Sequence, residues 1–392
     1  MKVFLKGLNS CVMRRQKLKQ YEEFLVANGH TIALTPVEAD YILVWTCAFR
    51  NDAKNNSVYE VIRYIKDYNA KVLLAGCLPD IDPETVHALR TTLVIPWRED
   101  VLLEDIFGRT KRLEEFYTPL GEEALCVDVA KFRKEFPTKY ATFQDQFIKI
   151  VVSEGCCFSC AYCSEKIAFP PYRSFPIDSL VSVCSELVKK TGRKEVMLLA
   201  DSLGDYGLDN RSSLPELIIN LSRVSSGIRF ALNNLNPSSF ISYYDEMITF
   251  IDKKMILHLN LPIQSASDKV LKLMNRTYNK NQLERIFSLL NYIGFNKFDT
   301  HVIVGFPGET ESDLEETIDF ILRHRFKYVL ASAYMESPQM SASKLPGRVD
   351  LKTTQNRLKK LAEIMIKEKI IINTDEGDLS ADKFRRLNRI KE

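Results

Sequence analysis

The chain has 392 residues, of which 45% are hydrophobic and 27% are charged, and its formal net charge is +3. This length exceeds what one ordinary hydrophobic core supports, so we expect two domains of a globular protein. The near-neutral charge gives no global reason to expect nucleic-acid binding. No apolar run of about 18 residues is present, which excludes a membrane-spanning segment. The N-terminus lacks a signal-peptide pattern, so we expect a cytoplasmic protein, where disulfides are disfavoured.

The first ninety or so residues alternate short apolar strands with amphipathic helices. The predicted strands are Val3–Leu5, Thr31–Leu34, Tyr41–Thr46 and Lys71–Ala75, with helices over about 12–28 and 50–67. Nearly all-apolar strands that alternate with helices are typical of a parallel sheet covered on both faces. We therefore predict the α/β class and an N-terminal open parallel-sheet domain over residues 1–135.

The alternation of strands and helices resumes after a charged, less periodic stretch at about 105–143, which we interpret as the domain junction. The predicted strands are Phe147–Ser153, Glu195–Ala200, Ile228–Asn233, Met255–Pro262, His301–Gly305 and Tyr328–Ala333. Helices are expected near 177–190, 214–225, 239–251, 281–293 and 311–324. Six parallel strands indicate a partial (β/α)6 barrel, over residues 140–350. A helix at about 353–371 and a charged tail account for residues 351–392.

Three of the nine cysteines form a C-x3-C-x2-C run directly after the first barrel strand: Cys156, Cys160 and Cys163. Three thiolates from one loop leave the fourth iron of a cubane cluster without a protein ligand. That iron can chelate S-adenosylmethionine (SAM), whose reductive cleavage gives a 5′-deoxyadenosyl radical. A structural zinc site is the alternative, although zinc usually takes four ligands and no second C-x2-C pair is near. We predict a SAM-cleaving cluster, with Tyr162 covering it or contacting the adenine.

Three further cysteines occupy equivalent places in the N-terminal domain. Cys11 follows the first predicted strand, while Cys47 and Cys77 end two later ones. Ligands of an open parallel sheet gather at the carboxyl ends of its strands. Ordinary buried cysteines are the alternative for any one of them. The shared topological position of all three predicts a second cluster.

Several segments beyond the cysteines match one known family. They are TCAFR (46–50), GCLPD (76–80), SEGCCFSCAYC (153–163), YGLD (206–209), LPIQSASDKVLKLMNRTY (261–278) and IVGFPGETESDLEETIDF (303–320). Together they resemble the methylthiotransferase family of radical SAM enzymes over about residues 1–350. The resemblance implies an N-terminal cluster domain, a radical SAM barrel, two [4Fe–4S] clusters and SAM. The auxiliary cluster would handle the sulfur to be attached, and SAM would supply the radical and, usually, a methyl group.

The resemblance also assigns residues and partners. By matching position, Cys11, Cys47 and Cys77 would bind the auxiliary cluster, and Cys156, Cys160 and Cys163 the SAM-cleaving cluster. The positions matching other cofactor-binding motifs are Tyr162, Arg173, Ser174, Gln264 and Gly305. A reductant of the flavodoxin or ferredoxin type and a sulfur donor would be the protein partners.

The chain departs from the family pattern at several polar positions. Departing residues include Arg14, Phe169, Pro170, Asp201, Ser202, Asn260, Ala266, His301 and Ser337. The cysteines expected to bind the clusters match the family pattern, whereas polar residues expected to face the substrate differ from it. We also expect no C-terminal RNA-binding β-barrel, because only about forty residues follow the barrel.

These features predict a divergent methylthiotransferase-like enzyme that forms a C–S bond, by sulfur insertion or methylthiolation, on a small molecule or peptide in a biosynthetic pathway. A transfer-RNA methylthiotransferase is the alternative within the family. A radical SAM enzyme doing redox or rearrangement chemistry without sulfur transfer is a second alternative, and a non-enzymatic nucleic-acid-binding iron–sulfur protein is a third.

Overall fold

A computed structural model of the protein describes residues 1–7, 12–89, 93–117, 145–374 and 377–379. Cys11 and residues 118–143 of the junction predicted at about 105–143 lie outside these residues, as does the charged tail from residue 380. Within the described ranges, no helix combines the length and the apolar content needed to cross a bilayer.

The N-terminal part is a five-stranded parallel sheet with the order β2-β1-β3-β4-β5. Its strands are β1 (Lys2–Gly7), β2 (Thr31–Ile32), β3 (Tyr41–Thr46), β4 (Lys71–Gly76) and β5 (Leu93–Pro96). Its helices are α1 (Val12–Ala27), α2 (Asn51–Asp67), α3 (Leu78–Ile81), α4 (Pro83–Ala88) and α5 (Leu103–Phe107). The central strand β3 is buried over five of its six residues, because helices cover both faces. The predicted open parallel sheet is confirmed.

The second part is an eight-stranded open sheet with the order β15-β14-β13-β12-β11-β10-β9-β6. Its strands are β6 (Ile148–Val151), β9 (Glu195–Leu199), β10 (Arg229–Leu232), β11 (Ile256–Asn260), β12 (Phe298–Val304), β13 (Tyr328–Ala333), β14 (Ile371–Thr374) and β15 (Gly377–Leu379). A short antiparallel ribbon joins β7 (Ser153–Glu154) to β8 (Arg173–Ser174). The six strands from β6 to β13 are parallel, which confirms the partial barrel.

Every helix predicted in the barrel is present, and two short helices, Glu165–Ala168 and Asp268–Leu273, were not predicted. The barrel helices are α6 (Glu165–Ala168), α7 (Ile177–Thr191), α8 (Leu214–Ser222), α9 (Pro237–Ser242), α10 (Tyr244–Asp252), α11 (Asp268–Leu273), α12 (Lys280–Tyr292), α13 (Glu311–His324) and α14 (Leu351–Lys367). Side-chain capping interactions determine where several of these helices begin. The Asn279 side chain accepts from the Gln282 N–H (3.0 Å) at α12, and Thr310 and Asp313 form a capping box at α13.

The C-terminal segment extends the barrel sheet. The helix predicted at about 353–371 is α14, and β14 follows it, parallel to β13 and antiparallel to β15. Arg50, just beyond Cys47, donates to Asn373 Oδ1 (2.9 Å) and to the Thr374 carbonyl oxygen (3.0 Å). The N-terminal part therefore contacts the C-terminal strand of the barrel. The sequence pattern did not predict β14, because a four-residue strand carries too little periodicity.

At the boundary, each of the two parts contributes side chains to the hydrophobic core of the other. Ala168 and Phe169, which follow the cysteine loop of the barrel, are buried in the N-terminal core. Met13 of α1 is buried in the barrel core in return. The cysteine loop consequently lies between the two cores.

Candidate active site

The cysteine loop begins at a turn that only glycine can make. After β7, Gly155 has a φ of +78° and leads the chain into Cys156. A Cβ atom at Gly155 would lie 2.9 Å from both the Pro170 carbonyl oxygen and the Tyr172 Cα. The Gly155 N–H donates to Asp201 Oδ2 (2.8 Å), which anchors the loop beside the end of β9.

Two of the three predicted cluster ligands lie where burial disfavours the free thiolate. Burial, with smaller contributions from Asp205 and Cys160, raises the pKa of the Cys156 thiol to about 12. Burial also raises the pKa of the Cys163 thiol, and charge on Glu165 and on the other two cysteines raises it further. Partly buried thiolates that repel one another need a cationic partner, which iron supplies. The donor set therefore fits a metal cluster.

The spacing of these sulfurs differs from that of a single-ion site. In the part of the chain that the structure describes, no three Cys, His, Asp or Glu side chains are grouped tightly enough for one metal ion. In a cubane cluster each thiolate binds a different iron, so its sulfurs stand further apart than around one ion. Cys157, between the first two predicted ligands, is exposed, and its N–H donates to Asp205 Oδ2 (3.0 Å).

Two of the three N-terminal cysteines lie at the ends of adjacent strands. Cys47 follows β3 and Cys77 follows β4, and both are buried. The Cys77 N–H donates to the Thr46 carbonyl oxygen (3.1 Å), so the two turns are joined directly. Gly76 has a φ of +99°, and a Cβ there would come within 2.9 Å of the Thr46 nitrogen. Cys11 follows β1, the neighbour of β3, and lies outside the described residues.

A buried ion pair links the N-terminal part to the cysteine loop. The Arg14 guanidinium of α1 pairs with Asp201 Oδ1, and the two side chains are only 7% and 6% exposed. The same guanidinium stacks 3.8 Å from the centre of the Trp97 ring and 5.5 Å from that of Phe169. Arg14, itself a departure from the resembled pattern, thus contacts two others, Phe169 and Asp201, and Asp201 also binds Gly155.

A second group of residues that differ from the resembled pattern lies inside the barrel. Asn260 Nδ2 lies 3.1 Å from His301 Nε2 and also donates to Asp299 Oδ1. Asn260 Oδ1 accepts from the Asn234 N–H (3.0 Å). Burial lowers the pKa of His301 to about 4, although Asp299 opposes the shift, so its imidazole is neutral at pH 7. The altered positions form a connected polar layer of the barrel.

Tyr162 and Gln264 lie around the cysteine loop and the adjacent strand ends. The Tyr162 hydroxyl accepts from Arg276 Nη1 (3.1 Å), and its ring makes an edge contact with Phe306. Gln264 adopts a left-handed backbone, with a φ of +64°, between the end of β11 and Val302 of β12. A left-handed backbone is uncommon outside glycine and is concentrated at functional sites.

Arg173, Ser174 and Gly305 have clear neighbours in the protein itself. The Arg173 guanidinium lies 3.9 Å from the centre of the Tyr117 ring and lines a cavity of about 200 Å³. Ser174 Oγ accepts from the Gly207 N–H (2.9 Å) and holds the YGLD turn. Gly305 has a φ of +80°, and a Cβ there would collide with Thr354 of α14. The binding roles predicted for these three residues remain predictions.

One residue close to the predicted ligands was missed by the sequence interpretation. Arg276 Nη1 donates to Cys160 Sγ at 3.1 Å. The motif LPIQSASDKVLKLMNRTY contains this arginine, but only the fold brings it to a loop more than one hundred residues earlier. An arginine in a polar turn is usually solvated, so its residue type gave no indication.

Two family models match the chain. The Radical SAM superfamily matches residues 150–321, and the Uncharacterized protein family UPF0004 matches residues 3–95. The first covers most of the barrel, and the second covers the parallel-sheet part with Cys47 and Cys77.

Two curated relatives match most of the length of this chain. The Ribosomal protein uS12 methylthiotransferase RimO of Thermosipho africanus is 30% identical over 360 residues, covering 89% of this chain and 80% of the relative. The Probable threonylcarbamoyladenosine tRNA methylthiotransferase of Pyrococcus horikoshii is 27% identical over 358 residues, covering 89% and 81%.

A solved structure supports the fold. The radical S-adenosylmethionine methyltransferase TsrM from Kitasatospora setae, with tryptophan substrate and a SAM analog bound, has a TM-score of 0.64. The match covers 87% of this chain and 75% of that chain at 12% identity, so it bears on the architecture alone.

Proposed function

We propose that this chain, which belongs to the methylthiotransferase family of radical SAM enzymes, is a sulfur-attaching enzyme. It would attach the sulfur to an unactivated carbon of its substrate. Its cofactors are those of the family, two [4Fe–4S] clusters and SAM. The observation that carries the proposal is the position of the cysteine loop between the two cores. Cys156 packs against the N-terminal core, which also contains Cys77. A radical generated at one site and a sulfur held at the other would then serve a single substrate cavity.

The chain's residues have distinct tasks in this proposal. Cys156, Cys160 and Cys163 hold the cluster that faces SAM, and Cys11, Cys47 and Cys77 hold the auxiliary one. When bound, these groups supply the radical and the sulfur. The protein excludes water around Tyr162 with a buried apolar cluster, and a radical requires such an environment. The members of that cluster are Ala161, Val270, Met274, Phe306 and Ala342.

Tyr162, Arg173, Ser174, Gln264 and Gly305 are the proposed SAM-binding positions. Gln264 has the strongest support, because backbone hydrogen bonds with His301 (2.8 Å) and Ile303 (3.0 Å) of β12 hold it at the strand end. For Gly305, the close approach of Thr354 explains the glycine without a ligand. The Gly305 N–H donates to Glu309 Oε2 (2.7 Å), which further stabilises this loop.

We place a peptide or a small molecule ahead of transfer RNA as the substrate. A net charge of +3 over 392 residues gives weak overall attraction to a polyanion. Inside the barrel, the altered layer contains the Asn260 amide and the neutral His301 imidazole, and neither carries the positive charge that would neutralise a phosphate. A reductant of the flavodoxin or ferredoxin type and a sulfur donor complete the proposed set of partners.

The test combines the anaerobically reconstituted protein, SAM and a reductant with three separate pools: bulk transfer RNA, ribosomal protein and a small-molecule extract. 5′-Deoxyadenosine formation above the no-substrate rate identifies the pool, and mass spectrometry then identifies the product. A gain of one sulfur, with or without a methyl group, in the second or third pool supports the proposal. Stimulation by transfer RNA alone reverses the substrate assignment. A product that differs only in hydrogens overturns the sulfur chemistry.

A further inference from the structure

The turn that follows α11 forms hydrogen bonds to the cysteine loop on both sides of Cys160. The Ala161 N–H donates to the Met274 carbonyl oxygen (3.0 Å). Asn275, in a left-handed backbone with a φ of +56°, donates from Nδ2 to the Ser159 carbonyl oxygen (2.7 Å). These contacts fix the turn relative to the loop, and Arg276 is the next residue of the turn.

Arg276 is held by four acceptors. Its Nη1 donates to Cys160 Sγ (3.1 Å) and to the Tyr162 hydroxyl (3.1 Å). Its Nε donates to the Tyr278 hydroxyl (2.8 Å), and its Nη2 donates to the Pro262 carbonyl oxygen (3.2 Å). All three nitrogens of the planar guanidinium are engaged, so its orientation towards the sulfur is fixed.

The charge of this guanidinium has no carboxylate partner among the described residues. None of the ion pairs there includes Arg276; its acceptors are a sulfur, two phenols and a carbonyl. A guanidinium stays protonated in proteins. Even a partly buried positive charge without a carboxylate is costly unless another anion compensates it. The nearest group that becomes anionic is the Cys160 sulfur, as a cluster ligand.

We propose that Arg276 is a positioning residue that raises the reduction potential of the cluster bound through Cys160. This inference rests on the proposed function of Cys160 as a ligand. An external one-electron reductant adds a negative charge to the cluster when it reduces it. A fixed cation and an N–H···S hydrogen bond stabilise the reduced state over the oxidised state. Hydrogen bonds to cluster sulfurs are one of the means by which proteins set such potentials.

The arrangement also explains why the arginine is supported so rigidly. Arg276 Nη2 donates to the carbonyl oxygen of Pro262, two residues before Gln264. One side chain therefore connects the cluster loop to the end of β11. A lysine could supply the charge but not the four simultaneous hydrogen bonds. Arg276→Lys should therefore shift the potential in the same direction as Arg276→Gln, but less.

The experiment is a redox titration of the reconstituted two-cluster protein, followed by electron paramagnetic resonance. Arg276→Gln is expected to lower the midpoint of the SAM-binding cluster. At a fixed solution potential the ratio of reduced to oxidised cluster should fall at least tenfold, which is 59 mV for a one-electron couple. The auxiliary cluster is the internal reference and should keep its midpoint. The matched control is Arg285→Gln, on the exposed face of α12, which should change neither.

An unchanged midpoint in an Arg276→Gln protein with its full iron content overturns the proposal. If that variant does not retain the cluster, Arg276→Lys is titrated, and an unchanged midpoint there has the same meaning. Failure of the proposed ligand role of Cys160 has a different signature, because the unsubstituted protein would then bind no SAM-cleaving cluster and give no signal from it to titrate. Failure of the sulfur chemistry would appear in the mass of the product and would leave the expected midpoint shift unchanged.

Discussion

The two cysteine sites of this protein are built in opposite ways. The barrel site takes all its candidate ligands from one loop of eight residues, Cys156 to Cys163. The N-terminal site takes them from separate strand ends, of which Cys47 and Cys77 are placed by β3 and β4. The first site is a local motif and the second is a product of topology. A loop motif can be recognised without a fold, whereas a topological site exists only when the sheet has formed.

The largest expected effect distinguishes the two sites by the iron content and the SAM-cleaving activity of cysteine variants. Replacing Cys156, Cys160 and Cys163 with Ala should reduce the iron content from about eight to about four per chain and abolish SAM cleavage. Replacing Cys47 and Cys77 should cost a similar amount of iron but leave 5′-deoxyadenosine formation intact. Iron analysis and chromatography measure both.

Cys184, buried in α7 away from either site, is the matched control for these variants. Its replacement with Ala should leave iron unchanged. Full iron retention after loss of Cys47 and Cys77 would refute the auxiliary site.

The next effect concerns the ion pair that joins the two regions. Arg14→Met leaves Asp201 buried and uncompensated, which should cost about 3–5 kcal/mol of unfolding free energy. The double variant Arg14→Met with Asp201→Asn should recover much of that loss. Anaerobic urea unfolding gives the values. Arg229→Met, at the exposed pair with Glu195, is the control and should cost about 1 kcal/mol or less.

A smaller effect is expected at the glycine that precedes each cysteine turn. Gly76→Ala and Gly155→Ala introduce a Cβ into a left-handed turn against neighbouring backbone, at a cost of about 1–3 kcal/mol each. Each variant should lose iron at its own site only. Gly192→Ala is the control, because that left-handed glycine has nothing within 4 Å of the added atom. Equal iron loss at both sites would mean that the two turns fold as one unit.

The smallest effect tests the polar layer of the barrel. Because the pKa of His301 is lowered to about 4, the unfolded chain binds a proton below about pH 6.5 while the folded chain does not. Folding stability should therefore fall by about 1–2 kcal/mol from pH 7 to pH 5 through this residue. His301→Gln should remove that part of the slope in urea unfolding. The exposed His87→Gln is the control, and an unaltered slope in His301→Gln would contradict the assignment.

The sequence predicted the architecture because the architecture depends on apolar periodicity. Tyr41–Thr46 and Tyr328–Ala333 were predicted at the bounds that β3 and β13 have in the structure. The short strands β5 and β14 were missed, because four residues carry too little pattern. The contacts between altered positions could not be predicted. Arg14 and Asp201 are 187 residues apart in the chain, and only the packing of α1 against the barrel brings them together.

The attachment of the N-terminal part at both ends of the barrel sheet has a mechanical consequence. Arg14 ties it to the end of β9, and Arg50 ties it to β14, each one strand from an opposite edge of the open sheet. Two such fastenings leave only rotation about the line that joins them, and they oppose sliding of the N-terminal part along the barrel sheet. They therefore limit how far the separation between the two cysteine sites can change. Under the proposed function, the substrate would bring its reacting carbon within reach of both sites in a single bound pose.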